Sequence, residues 1–149
     1  MLQAIKQFFE KNISPDNQED IDHRLKLATG ALLIEIMQQD GETKDEEVEA
    51  IKHALKTKFE LSGSETNELF VLAHEEAKEA VDLYQFTSLI NKHFSLDKKI
   101  KVIEYLWEIA YADNHLDAHE EHIVRRIADL LYVSHQDFIK AKHRALENK

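Results

Sequence analysis

The sequence predicts an all-α fold, a single compact bundle of seven to eight helices with two pseudo-symmetric helix–turn–helix halves. Three observations carry this expectation. Apolar residues recur at helical spacing along most of the chain. Only three glycines and one proline (Pro15) interrupt 149 residues, too few for turn-rich β structure. The stretch from Trp107 to Leu131 repeats the layout of an earlier one, Ile34 to Phe59. A shift of 73 positions sets Glu35 on Glu108, Asp40 on Asp113 and Glu47 on Glu120, with Leu33 on Leu106, Ile36 on Ile109 and Ile51 on Val124. An internal repeat of this kind names the unit from which a fold is built. The length suits one domain, with an N-terminal helix and linker over residues 1–20 and a core over 22–149.

The elements follow in order. In LQAIKQFF, residues 2–9, Leu2, Ile5, Phe8 and Phe9 share a helical stripe. This short amphipathic helix is expected to dock on the body or on a second copy. Peripheral membrane association is the other use of such a helix, but only Lys6 and Lys11 supply positive charge. Residues 12–20 read as a polar linker. From Asp22 to Gln39 apolar residues occupy most sides, the pattern of a central buried helix, which Gly41 can close. The next helix starts near Thr43, with Glu46 at capping-box spacing, and places Val48, Ile51, Leu55 and Phe59 on one stripe. Ser62 with Glu65 opens another helix. It fades into HEEAKEA, where Glu75 and Glu76 read as a solvated face. Asp82 is expected to cap a helix carrying Phe86, Leu89, Ile90 and Phe94. Ser95 or Asp97 starts the second central helix, apolar nearly all round through Ala110. Asn114 then stands where Gly41 stood. Asp117 with Glu120 opens a helix whose stripe is Ile123, Val124, Ile127 and Leu131, and Ser134 opens the last one.

Composition removes several function classes. Without cysteine there are no disulfides, thiolate nucleophiles or Cys-ligated zinc. A formal net charge of −10 disfavours phosphate-directed binding of nucleic acid and favours basic partners or hard cations. No apolar run is long enough to cross a membrane and no signal-peptide pattern is present, so a cytoplasmic protein is expected. No nucleophile elbow, phosphate loop or dinucleotide turn appears, and no enzyme is expected.

The residues that invite chemistry are the six acids in register: Glu35, Asp40 and Glu47, then Glu108, Asp113 and Glu120. Glu35 and Glu108 interrupt apolar turns, where a carboxylate needs a pair, hydrogen bonds or a cation. Asp40 and Asp113 stand at helix ends, and Glu47 and Glu120 in the first turn of the next helix. Oxygen ligands of this kind suit Ca²⁺, Mg²⁺ or Mn²⁺. Helix capping and the positive helix end account for the same acids without a metal. The turn is too short for an EF-hand loop. His119 and His122 stand three apart, where the HExxH metalloprotease motif needs four. The first copy has no matching histidines, and solvated surface histidines are the expectation.

The run Ile109-Ala110-Tyr111-Ala112-Asp113-Asn114-His115-Leu116, followed by Glu120, resembles the A-D-G-x-hydrophobic-x-x-x-E motif of the TerB-like tellurite-resistance domain. Asp40-Gly41 with Glu47 resembles its other copy. The resemblance runs from about Leu25 to Lys142 and implies an all-α fold in two halves. It also implies a role in resistance to tellurite and other stresses through assemblies near the membrane rather than catalysis. Metal binding at the acidic motifs is a further implication. Related domains stand at the N-terminus of a DnaJ-like co-chaperone. This chain has His135-Gln136-Asp137 in place of the J-domain His-Pro-Asp, so chaperone stimulation does not carry over.

The function expected is a non-enzymatic helical binding or scaffold module with protein partners, a homodimer among them, and a divalent cation at the duplicated turns. The alternatives are a metal-dependent hydrolytic enzyme and a partner-binding domain without metal. A thermal melt separates cation ligands from helix caps, because a ligand of the folded state raises its stability. Ligands give a rise with millimolar Ca²⁺, Mg²⁺ or Mn²⁺ that disappears in the Asp40→Asn, Asp113→Asn double variant. Caps give no rise, and the double variant melts earlier than wild type.

Overall fold

The computed structural model describes residues 2–14, 20–40, 44–79, 84–111 and 118–147. These residues form eight helices: α1 (Leu2–Asn12), α2 (Ile21–Asp40), α3 (Asp45–Lys58), α4 (Gly63–Glu79), α5 (Gln85–His93), α6 (Leu96–Ala110), α7 (Ala118–Leu130) and α8 (His135–Glu147). The all-α bundle expected from the sequence is the fold observed. No helix among the described residues is long and apolar enough to cross a membrane.

Helices α2 and α6 form the centre and pack against each other. From Ala31 to Met37 every residue of α2 is buried, and Val102 to Trp107 are buried in α6. Around α2 lie α4, α5 and α7, whereas α3, α7 and α8 surround α6. Gly30 lets α2 come close to its neighbours: a Cβ there would stand 3.3 Å from Leu69 and 3.5 Å from Leu55. The Tyr105 hydroxyl donates to Asp22, linking α6 to the first turn of α2. On the other side of α6, Trp107 is fully enclosed and meets the Phe138 ring at 5.2 Å, while Lys142 sits 5.1 Å from its centroid. Buried Glu104 binds Arg144 of α8 at 3.2 Å and Lys101 at 3.5 Å. Aromatic packing and a satisfied buried carboxylate thus fasten α8 along α6.

Helix α1 lies on α5 and α4. Ile5, Phe8 and Phe9 are buried; Phe8 meets Phe86 edge-on at 6.3 Å, and Phe9 meets Phe94 at 6.2 Å. Burying such side chains stabilises by roughly 1.5–3 kcal/mol each. Ile5, Phe8 and Phe9 are therefore used inside the protein.

Local signals set several helix starts. Ser62 and Glu65 form a reciprocal capping box: the Glu65 amide donates to Ser62 Oγ at 3.0 Å, and the Ser62 amide donates to Glu65 Oε1 at 2.9 Å. His23 Nε2 lies 2.7 Å from Glu65 Oε2. Partial burial acts to raise the Glu65 carboxyl, but the contacts with Ser62 and His23 outweigh it and hold it below the usual range. Ser95 and Ser134 cap α6 and α8 by accepting from the amides of Lys98 and Asp137. Two starts differ from the sequence expectation. The N-cap of α3 is Lys44 rather than Thr43, and that of α5 is Tyr84 rather than Asp82; neither makes a side-chain cap bond. Thr43, Asp82, Gly41, Asn114 and Asp117 lie outside the described residues, as does most of the expected linker, residues 15–19.

The capping box makes a stability prediction. Ser62→Ala removes the acceptor for the Glu65 amide and is expected to cost about 1 kcal/mol. For a domain of this size, that lowers Tm by roughly 2–4 °C, readable by a circular-dichroism melt.

Candidate functional site

Glu35 is fully buried, as its place in a helix apolar on every side requires. Its carboxyl is satisfied by the first turn of α5. Oε2 accepts from the Phe86 amide at 2.9 Å, and Oε1 accepts from the Thr87 amide at 3.2 Å and the Thr87 hydroxyl at 2.7 Å. Glu76 of α4, only 2% exposed, completes the arrangement: its Oε2 accepts from the Gln85 amide at 2.9 Å, and its Oε1 from the Gln39 side chain at 3.3 Å. Three successive amides that begin α5 are thus capped by two glutamates from other helices. The local cap residue, Tyr84, takes a left-handed φ of 68°. Negative or hydrogen-bonding oxygens at a helix N-terminus are favourable on both counts.

The two carboxyl groups also meet each other. Burial first, and then the neighbouring Glu76 carboxyl, push Glu35 up from 4.5 to about 8, against the opposing bonds from Thr87 and Phe86. Near neutral pH Glu35 therefore holds its proton. The sequence reading of Glu76 as part of a solvated face is corrected here. The overlooked signal is spacing: Leu69, Ala73 and Glu76 fall on one helical stripe, and the first two are core residues.

The six repeated acids have different surroundings. Glu35 is engaged by α5 rather than turned to a cation. Glu108 is half-buried in α6; burial raises its carboxyl, Lys58 opposes that rise, Glu104 adds to it, and Lys101 and Lys26 oppose it again. A carboxyl among three lysines is a poor cation ligand. Glu47 is half-buried in the first turn of α3. Asp113 and the side chains of Asp40 and Glu120 lie outside the described part of the structure. Among the described residues no three His, Asp or Glu side chains converge to hold a metal ion.

The concave feature is elsewhere, between α2, α3, α6 and α7. A cleft of about 170 Å³ opens there. Its lining comes from both hairpins in matching register: Leu33 and Leu106, Met37 and Ala110, Ile51 and Val124 stand 73 positions apart, as do Ala50 and Ile123. Among the described residues the lining is apolar except for Glu46 and Glu47, both on the α3 side. Sequence reasoning assigned most of these side chains to core stripes and did not anticipate an opening between them. Neither Glu35 nor Glu76 lines the cleft.

Comparison with known proteins adds one finding. The family model described as tellurite resistance protein TerB matches residues 26–143, most of the chain and both acidic turns. No curated protein and no solved structure gives a match.

The proton held by Glu35 makes stability depend on pH with a definite sign. Glu35 has a folded value near 8 against 4.5, so the folded state holds a proton that the unfolded chain releases between these values. Stability from this group is present below about 4.5 and is lost as pH rises through about 8. Glu35→Gln keeps the shape of the protonated carboxyl but cannot ionise. The wild-type Tm is expected to fall between pH 5 and 8.5 by roughly 5 °C more than that of the variant, on the order of 1–2 kcal/mol for a domain of this size. Parallel melts across that range check it; equal slopes would mean that Glu35 does not hold the proton.

Proposed function

Since the chain belongs to the tellurite resistance protein TerB family, we propose that it is a non-enzymatic helical binding module of the tellurite or general stress response, acting in the cytoplasm by docking a protein partner in the cleft between α2, α3, α6 and α7. The observation that carries this reading is the cleft itself. It is concave and apolar, it draws on both central helices, and among the described residues its charged groups stand at one edge. Such a lining receives apolar side chains and rejects polar ones, since unpaired polar groups lose solvation there. The strongly perturbed carboxyl of Glu35, beside Glu76, is where acid–base chemistry would first be sought. Its position under the α5 amides gives it a structural use instead. Divalent-cation binding at Asp40, Glu47, Asp113 and Glu120 is a separate property of the same proposal. Glu47 borders the cleft, which puts one of these four residues beside the docking surface.

The test compares two substitutions in captures from the native cell. Ala50→Trp adds bulk at an exposed position of the cleft lining, and Val71→Trp adds it at an exposed position of α4 that does not line the cleft. The Val71→Trp protein is expected to retain the wild-type partner, and the Ala50→Trp protein to lose it at unchanged Tm. A partner held equally by both would move the docking surface elsewhere, and the lack of any reproducible partner would count against a binding module.

A further inference from the structure

On the reading that the cleft is the docking site, we propose that its occupant is a basic protein segment, which inserts one large apolar side chain between α3 and α7 and sets Lys or Arg residues against Glu46 and Glu47.

Volume fixes the size of the anchor. A cavity of about 150 Å³ lined by aliphatic and aromatic side chains holds a benzene-sized group. The cleft, at about 170 Å³, therefore takes one ring or one branched aliphatic side chain, not a whole helix face. The lining agrees: Leu33, Met37, Ile51 and Val124 offer hydrocarbon and no hydrogen-bonding side chain.

Charge fixes what must flank the anchor. Among the described residues the two charged lining residues are both acidic and both belong to α3. Asp45 and Glu49 extend the same edge; Glu49 is engaged with Lys52 at 3.7 Å, and Lys44 is the one basic residue between positions 44 and 50. The positive end of α3 accounts for acids in its first turn. It does not account for their standing at the mouth of an apolar cleft. A segment entering there meets them at contact distance, so a basic residue next to the anchor is favoured and an acidic one is rejected. A second copy of this chain is disfavoured as the occupant, because each copy carries a formal charge of −10. An anionic lipid surface is disfavoured for the same reason.

A random-peptide display library, selected on the wild-type protein and counter-selected on Ala50→Trp, tests this. The selected peptides are expected to share one Leu, Ile, Met, Phe or Trp with Lys or Arg beside it. Their binding should weaken by roughly tenfold in the Glu46→Gln, Glu47→Gln double variant and weaken with added salt, as rim charges dictate. Binding should also shift the amide resonances of Ile51 and Val124. Acidic or neutral consensus peptides, equal binding to Ala50→Trp, or no enrichment would each overturn the proposal. If the cellular partner is nonetheless lost from Ala50→Trp, the cleft stands as the docking site and only the basic chemistry fails. Self-association at high protein concentration that Ala50→Trp abolishes would assign the cleft to a second copy instead.

Discussion

A carboxyl group in the middle of a helix that is apolar on every side has to find hydrogen-bond donors inside the protein, and here it finds them at the start of α5. An unsatisfied buried carboxylate would cost several kcal/mol, a large share of the net stability of a domain. Glu35 and Glu76 avoid that cost by holding the Gln85, Phe86 and Thr87 amides. The same bonds relieve α5, a short helix whose own cap residue contributes no side-chain bond. Once α5 is fixed against α2, its apolar side chains Phe86 and Ile90 are buried, and Phe86 offers a ring to α1. The order of dependence runs from α2 to α5 to α1.

The second half is held differently. Helix α6 is as apolar as α2, but its buried carboxylate, Glu104, is answered by cations, Lys101 and Arg144, rather than by backbone amides. Two central helices of similar sequence character therefore recruit their neighbours by different means, charge pairing for α8 and helix capping for α5. The cleft opens where the central pair meets the hairpin partners α3 and α7. At two positions 73 residues apart the lining carries a large side chain in one hairpin and a small one in the other, Met37 with Ala110 and Ile123 with Ala50.

How much of this is legible in the sequence depends on the distance over which each interaction acts. The all-α class, the two buried central helices and the Ser62–Glu65 box are local properties, readable from spacing within one or two turns. The Glu35 problem is also legible, because a lone acid in an apolar run demands a partner. Its solution is not: the partners are amides 51 and 52 positions away, and no side-chain pattern announces a backbone donor. Register misleads in one respect. Glu35 and Glu108 are equivalent by position, but one lands under α5 and the other among Lys58, Lys101 and Lys26. Equivalent sequence positions share a helix face, not the neighbours that other helices bring to it. The cleft escapes sequence reading for a similar reason, since an apolar stripe looks the same whether its neighbour fills the space or leaves it open.

Magnitudes decide what kind of partner the cleft can serve. One fully buried apolar side chain stabilises by roughly 1.5–3 kcal/mol. Association costs more than that in lost translational and rotational freedom, on the order of 4–15 kcal/mol. A single anchor therefore cannot hold a partner by itself, and contacts around the mouth must supply the rest. On the α3 side Glu46 and Glu47 supply the charged part of the described lining, so contacts there include an electrostatic part. Rim charges act mainly on the rate of encounter and on the choice between partners, and they weaken with salt. A binding site built this way selects by charge at the edge and by size at the centre. It suits reversible engagement better than a permanent interface, which would bury far more apolar surface than one side chain offers.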